Sequence, residues 1–279
     1  MILWIWFFSD IHADIEGLET ILEIAFSSGF QERYGTVSRI INLGDVLERG
    51  TSPKEVLQKI SELAQSHSVV SVMGNHDEGF LYKRFLSGSS YASLKAHELL
   101  TEEDLEFFKQ NRDGTYGEQF VVDQKNGLLI VHGGPINPEK IIQDGDDPWL
   151  YQRTWQRLSE EDAEFFSYYG YHYRPASAFS EGKSHFDNFI ILCGHQHMEA
   201  AIKQDNDQIT NIWPFHPKIE KVGQHVLQKR EFKIDKKSNY LFRVGLGGPQ
   251  GYYGGGSAKP HFGIIQHDPK KVVLFRLEH

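Results

Sequence analysis

The 279-residue chain has a single cysteine, Cys193, which excludes a disulfide framework and any cysteine-rich zinc or iron–sulfur site. A reducing compartment, the cytoplasm, is the location this predicts. No apolar run approaches the ~20 residues that cross a bilayer. Residues 1 to 8, MILWIWFF, are apolar but carry no basic leader and no cleavage site, so they read as a buried strand, with neither export nor a membrane anchor expected. Dense basic runs are missing too. The 29 Lys plus Arg against 38 Asp plus Glu give a net charge of −9, which argues against duplex nucleic acid as the main partner. Internal repeats, low-complexity tracts and long linkers are also lacking. What is left, with 39% hydrophobic residues, 26 Gly and 10 Pro, is an ordinary globular composition, in a chain long enough to bury about 75% of its unfolded surface. One domain over 1–276 is expected, with Leu277, Glu278 and His279 set aside as a tag remnant.

Five apolar runs punctuate the chain, each followed closely by Asp, Asn or His: ILWIWFFSDIH (2–12), RIINLGD (39–45), VVSVMGNHD (69–77), GLLIVHGG (127–134) and NFIILCGHQH (188–197). Continuous rather than alternating apolar character predicts strands covered on both faces. Helical patterns lie between them: Ile15 to Phe26, Pro53 to Leu63 behind Ser52 as N-cap, and Thr101 to Gln110 opened by a Thr101/Asp104 capping box. Ser159 with Asp162 repeats that signature. After residue 198 shorter strands are predicted near 208–213, 224–228, 240–245, 261–266 and 271–276, around the Gly-rich stretch 245–256. The reading is α/β with a β-rich second half.

In open α/β sheets ligands gather at the carboxyl ends of strands, where loops from neighbouring strands converge. Asp10, His12, Asp45, Asn75, His76, Asp77, His132, His195 and His197 all follow the apolar runs. Oxygen and imidazole donors without thiolate suit divalent manganese, iron or zinc. Seven of them, Asp10, His12, Asp45, Asn75, His132, His195 and His197, are too many for one catalytic zinc with three protein ligands. A pair of ions is the economical reading, with a hydroxide bridging them as nucleophile toward phosphorus.

The motifs DIH (10–12), GDVLERG (44–50), GNHD (74–77), HGG (132–134) and GHQH (194–197), taken in this order, resemble those of the calcineurin-like metallophosphoesterase superfamily. The resemblance implies a four-layer α/β/β/α sandwich of two facing sheets with a dinuclear metal site at strand ends. Carried over position by position, Asp10, His12 and His197 hold the first metal, Asn75, His132 and His195 the second, and Asp45 bridges them. His76 is implied as general acid, with Asp77 taking its ring N–H, and Arg49 as a fork for phosphate oxygens. Glu48 stands where the Ser/Thr phosphatase branch usually has Asp, and Asp77 where it has Glu. Diadenosine tetraphosphatases and small phosphodiesterases therefore stay in contention beside protein phosphatases, with a phosphorylated small molecule, a nucleotide or a phosphoprotein as substrate. The loop GLGGPQGYYGGG (245–256) resembles one beside the metals of phosphodiesterase-like members, which points to the N–H groups of Gly247 and Gly248 as an anion nest.

The segment 146–187 interrupts the strand–helix rhythm and is rich in aromatics, with Arg153, Arg157 and Arg174 among them. It reads as a helical cap that stacks a base and pairs a phosphate, or as packing. The remaining histidines, His67, His97, His172, His185, His216, His225, His261 and His267, are assigned to surface or satisfied core, and Cys193 to a small buried residue. Two other readings are weaker. A non-catalytic module on the same scaffold would not keep every donor, and an HD-type hydrolase places such a His–Asp pair on helices, whereas here the apolar β-branched run VVSVMG precedes His76–Asp77.

Overall fold

The computed structural model describes residues 3–84, 88–109, 115–141, 148–160, 169–250 and 258–278. Sheet A, in spatial order, is β11 (Lys218–Val222), β12 (His225–Lys233), β15 (Lys270–Leu277), β14 (His261–His267), β1 (Leu3–Phe8), β2 (Thr36–Asn42) and β3 (Val69–Ser71). Sheet B is β10 (Gln208–Asn211), β9 (Ala200–Asp205), β13 (Asn239–Arg243), β8 (Ile190–Cys193), β5 (Leu128–Ile130) and β4 (Val121–Asp123). A short parallel pair, β6 (Arg157–Leu158) and β7 (His172–Tyr173), stands apart. The helices are α1 (Ile15–Phe26), α2 (Ser28–Tyr34), α3 (Pro53–Ser66), α4 (Asn75–Leu81), α5 (Tyr91–His97), α6 (Glu102–Leu105), α7 (Trp149–Thr154) and α8 (Pro175–Gly182).

Strand alternation divides the apolar side chains between layers. In β1, Trp4, Trp6 and Phe8 turn outward to pack with Leu18, Ile21, Ile24 and Phe30 of α1 and α2 and with Val56 and Ile60 of α3. Ile5 and Phe7 turn inward and meet Leu128, Ile130, Ile190, Leu192 and Phe242 of sheet B. On the far face of sheet B, Leu129, Ile191 and Cys193 pack under Ala178 and Phe179 of α8. The result is the four-layer sandwich. It also explains the unbroken apolar runs, because the central strands have helices on one side and the other sheet on the other.

Several local expectations are corrected. Helix α1 begins and ends where its spacing predicts, held by an Asp14 N-cap that accepts from Gly17 N–H. Ser52 precedes α3, but its side chain caps nothing; Pro53 at the first position starts that helix. The helix expected over 101–110 is one α turn, Glu102–Leu105, with the Thr101/Asp104 box intact, followed by a 3₁₀ turn over Glu106–Phe108. Leu277 is no loose tag: it ends β15, is buried, and donates to Pro260 O, while Glu278 N–H reaches Val226 O. His279 and the helix expected after Ser159 (161–168) lie outside the described residues. Among the described residues, no helix is long and apolar enough to cross a membrane.

Candidate metal centre

Strands β1, β2 and β3 run parallel to one another in sheet A, and β5, β8 and β13 do so in sheet B. Their carboxyl ends deliver the donors: Asp10 and His12 after β1, Asp45 after β2, Asn75 and His76 at the start of α4 beyond β3, His132 after β5, and His195 and His197 after β8. The loops interlock through their backbones. Asp10, His12 and Ala13 N–H groups donate to the carbonyls of Gly44, Asp45 and Val46 at 2.9, 2.9 and 2.7 Å. Glycine is required where two loops touch: a Cβ on Gly74 would lie 2.0 Å from Asp45 Oδ1, and Gly44 has φ +95° with Gly74 N 2.5 Å from where its Cβ would sit.

Eight non-glycine residues of these loops adopt left-handed backbone: Asp10, His12, Ala13, Asp45, Glu48, Arg49, His195 and His197, with φ between 50° and 70°. Each such residue costs about 1–3 kcal/mol and persists where its surroundings over-determine it. Five of the eight are candidate metal ligands.

The donors fall into two overlapping groups. Asp10, His12, Asp45 and His197 converge within 4.8 Å of one another, as do Asp45, His132 and His195. Asp45 belongs to both. Asn75 Oδ1 joins the second group, 2.6 Å from His195 Nδ1 and 3.1 Å from His132 Nε2. In the first group His12 Nε2 and His197 Nε2 face each other at 3.1 Å, and His197 Nε2 lies 3.2 Å from Asp10 Oδ1. The other nitrogens of two rings are anchored, since His132 Nδ1 donates to Leu43 O at 2.7 Å and His12 Nδ1 to Leu47 O at 3.2 Å. In the neutral rings that fixes the tautomer and turns both Nε2 lone pairs toward the centre.

The residues fit divalent cations on a direct observation. Asp10 Oδ1 and Asp45 Oδ2 are fully buried and accept no well-formed hydrogen bond among the described residues; what faces them is imidazole nitrogen, His197 Nε2 at 3.2 Å and His132 Nε2 at 3.4 Å. Buried carboxylate oxygens left so are costly unless a cation meets them. Electrostatics agree. Burial pushes the Asp45 carboxyl up, yet the His132 and His76 rings outweigh it and hold it well below the usual carboxylate range. Burial lowers His132, but the Asp45 charge overrides it and pushes the imidazole up to about 9. A protonated His132 thus offers Asp45 the kind of positive charge that a metal ion would supply. His12 is held well below its ordinary value by burial and the His76 charge, and His195 by burial and the Arg157 charge.

Above the donors, His76 Nδ1 donates to Glu48 Oε2 at 2.6 Å, and Arg49 Nη2 lies 3.3 Å from His76 Nε2. The partner of His76 is thus Glu48, not Asp77. The Asp77 carboxylate instead accepts from the N–H groups of Gly74, Asp45, Val46 and Leu47 at 2.9–3.0 Å. Burial and the Asp45 charge push it up to about 7 against those four donors. Asp77 ties the GNHD loop to the GDVLERG loop.

Gly247 and Gly248 are likewise corrected. Their N–H groups donate to Ser9 O and Asp10 O at 2.9 and 3.0 Å, so neither is open to an anion; the pair braces the Asp10 loop. Residues 251–257 of that stretch lie outside the described residues. The 146–187 segment divides. Helix α8 and Tyr173, whose hydroxyl donates to Gly133 O, belong to the outer core. Arg153 is buried against the carbonyls of Gly134 and Ile136, and Arg174 reaches Glu160 O. Trp155 stands beside the centre, its ring 5.9 Å from His195 and stacked on Tyr151 at 5.4 Å, with the Arg157 guanidinium 6.0 Å from the indole.

The calcineurin-like phosphoesterase family profile matches residues 3–199, the stretch that holds every donor above. The Methanocaldococcus jannaschii protein MJ0912 is 31% identical over 276 residues, covering 97% of this chain and 86% of its own. Phosphodiesterase YfcE of Escherichia coli K12 is 26% identical over 180 residues, 61% of this chain and 77% of its own. A metallophosphoesterase crystal structure from Sphaerobacter thermophilus shares the fold, with a TM-score of 0.56 at 21% identity over 99% of this chain and 89% of that one. By its motifs, its layers and this match, the chain belongs to the calcineurin-like phosphoesterase family of phosphoester hydrolases.

Proposed function

We propose that the chain hydrolyses small phosphodiesters or phosphoanhydrides at a centre of two divalent cations, one held by Asp10, His12, Asp45 and His197, the other by Asp45, Asn75, His132 and His195. The observation that carries this reading is Asp45, which belongs to both donor groups and has a buried oxygen that accepts no well-formed hydrogen bond among the described residues. Manganese, iron or zinc suits such a set. Two such ions, when bound, neutralise phosphate oxygens and make water a nucleophile near neutral pH. Because Asp10 and Asp45 contribute only two negative charges to the donors, a centre holding two dications is net positive and attracts a phosphate group.

The chain's own groups do the rest. His76 delivers the leaving-group proton from Nε2, and the Glu48 carboxylate at Nδ1 supports the charged imidazolium that this needs. Arg49 aims its guanidinium at the same spot and binds non-bridging oxygens. Trp155 and Arg157, beside His195, take the non-reacting arm of the substrate. The diester reading draws support from the relative named a phosphodiesterase. A cytoplasmic setting draws support from the one buried, unpaired cysteine.

The test compares rates on an aryl phosphomonoester, an aryl phosphodiester, diadenosine tetraphosphate and a phosphopeptide, with metal content measured on the same sample. Preference for the diester or the tetraphosphate is expected. Faster hydrolysis of the monoester and phosphopeptide would move the chain to the phosphatases.

A further inference from the structure

The turn carrying Glu48 and Arg49 depends for its backbone hydrogen bonds on residues outside the site's motifs. Both residues are left-handed, with φ of 65° and 66°, and neither is glycine. The buried N–H groups of this loop can be followed one by one. Those of Asp45, Val46 and Leu47 go to Asp77, and that of Gly50 goes to His12 O at 2.9 Å. The two between them leave the motif altogether. Glu48 N–H donates to His97 Nε2 at 2.7 Å, and Arg49 N–H to Ser89 Oγ at 3.1 Å.

His97 closes α5 and is 5% exposed. Its Nδ1–H donates to Ser93 O at 2.8 Å, one turn back, which leaves Nε2 with the lone pair that Glu48 N–H needs. Its ring also packs against Phe80 of α4, the helix that carries His76, at 5.4 Å. Burial lowers the imidazole against the pull of the Ser93 carbonyl and the Glu48 charge, which favours this neutral tautomer.

We infer that His97 is a positioning residue of the phosphoester hydrolysis: by accepting the Glu48 N–H it holds the left-handed turn that delivers Glu48 to His76, with Ser89 doing the same for Arg49. The inference rests on the proposed proton-donor role of His76. Without the His97 acceptor, a buried N–H is orphaned at a left-handed, non-glycine residue. The turn relaxes toward ordinary φ, and Glu48 leaves His76 Nδ1.

The test uses the metal-loaded enzyme and two phosphodiesters that differ only in leaving group, 4-nitrophenolate or phenolate. His97→Asn keeps a donor for Ser93 O but cannot reach Glu48 N–H, whereas His97→Gln restores an acceptor. His97→Asn is expected to lose roughly tenfold or more in kcat on the phenyl ester, within the 10²–10⁴-fold that a proton donor supplies, and far less on the nitrophenyl ester. Its metal content should be unchanged, and His97→Gln should regain most of the loss. Ser89→Ala, a milder change, should raise KM on both esters with kcat held.

Equal slowing of the two esters by His97→Asn, or no recovery in His97→Gln, would overturn the inference. If His97→Asn does not fold, an unchanged KM in Ser89→Ala overturns the brace. His76→Ala, measured alongside, separates the failures: if it slows both esters equally, the reading of His76 falls and this inference with it. If His76→Ala discriminates between the esters and His97→Asn does not, the inference falls alone.

Discussion

The floor of the site and its rim are built on different principles. The floor donors, Asp10, Asp45, His132, His195 and their neighbours, stand at the carboxyl ends of parallel strands, fully or nearly fully buried. Two of their carboxylate oxygens accept no well-formed hydrogen bond among the described residues and face only imidazole nitrogens. The rim groups, Glu48, Arg49 and His76, sit on a left-handed turn and a short helix, and their side chains meet: Glu48 takes His76 Nδ1–H, and Arg49 Nη2 lies 3.3 Å from Nε2. The floor thus leaves buried carboxylate oxygens where cations could bind, whereas the rim side chains lean on one another. Changes to the floor should therefore be read first in metal content, and changes to the rim first in kinetics.

Asp45→Asn should break that separation most severely, because Asp45 is the one donor common to both groups. The amide keeps the shape but removes a charge that the two proposed cations would share. Metal analysis should show loss of retention, and turnover should fall by more than the roughly 10²- to 10⁴-fold that a proton donor is worth. A variant that kept two metals per chain would contradict the shared-ligand reading.

His76→Ala tests the other side. The ring is nearly buried and its partners are Glu48 and Arg49. Metal content should stay at the wild-type level while kcat on a poor leaving group falls roughly 10²- to 10⁴-fold. If the metals left together with the ring, floor and rim would be one unit and the comparison would fail. Arg49→Lys should do less. It keeps the charge and loses the fork, so KM should rise several-fold with kcat nearly held. A fall in kcat alone would instead place Arg49 in the transition state only.

The same contrast explains what could be read from the sequence. Floor donors were legible because each follows an apolar run that both sheets and helices cover, so strand end and donor coincide in the chain, as in Phe7–Phe8–Ser9–Asp10. Strand order was not legible: β14 pairs with β1 across some 260 residues, and no local pattern encodes that. β11, with alternate residues exposed, and the three-residue β4 are too weakly patterned to stand out. At the rim, adjacency misled. His76 and Asp77 are neighbours in sequence, but on a helix successive side chains point about 100° apart, so Asp77 turns to the loop backbone while His76 faces Glu48, 28 residues away. Gly247 and Gly248 looked like a nest because spacing shows where N–H groups are, not what already accepts from them. His97 carried no signal beyond being a histidine.

The smallest expected effect needs no substrate and isolates the floor. In the cation-free state His132 is pushed up to about 9 by the Asp45 charge, against burial. A folded-state value above the unfolded value of roughly 6.5 means that the folded protein binds the proton more tightly. This adds stability that is full below about pH 6.5 and lost as pH rises through about 9. Chelator-treated protein should therefore melt at progressively lower temperature across that window. A bound dication would take the place of the proton against Asp45, because an imidazole must give up its proton to become a ligand. Metal-loaded protein should lose this slope, and titrating the metal into the chelated protein near pH 7.5 should release protons, seen as a calorimetric heat that depends on the buffer's ionisation enthalpy. Parallel melting curves with and without metal would mean that His132 does not face the cation. His76→Ala should leave the difference in slope in place, because the proton exchanged belongs to the floor.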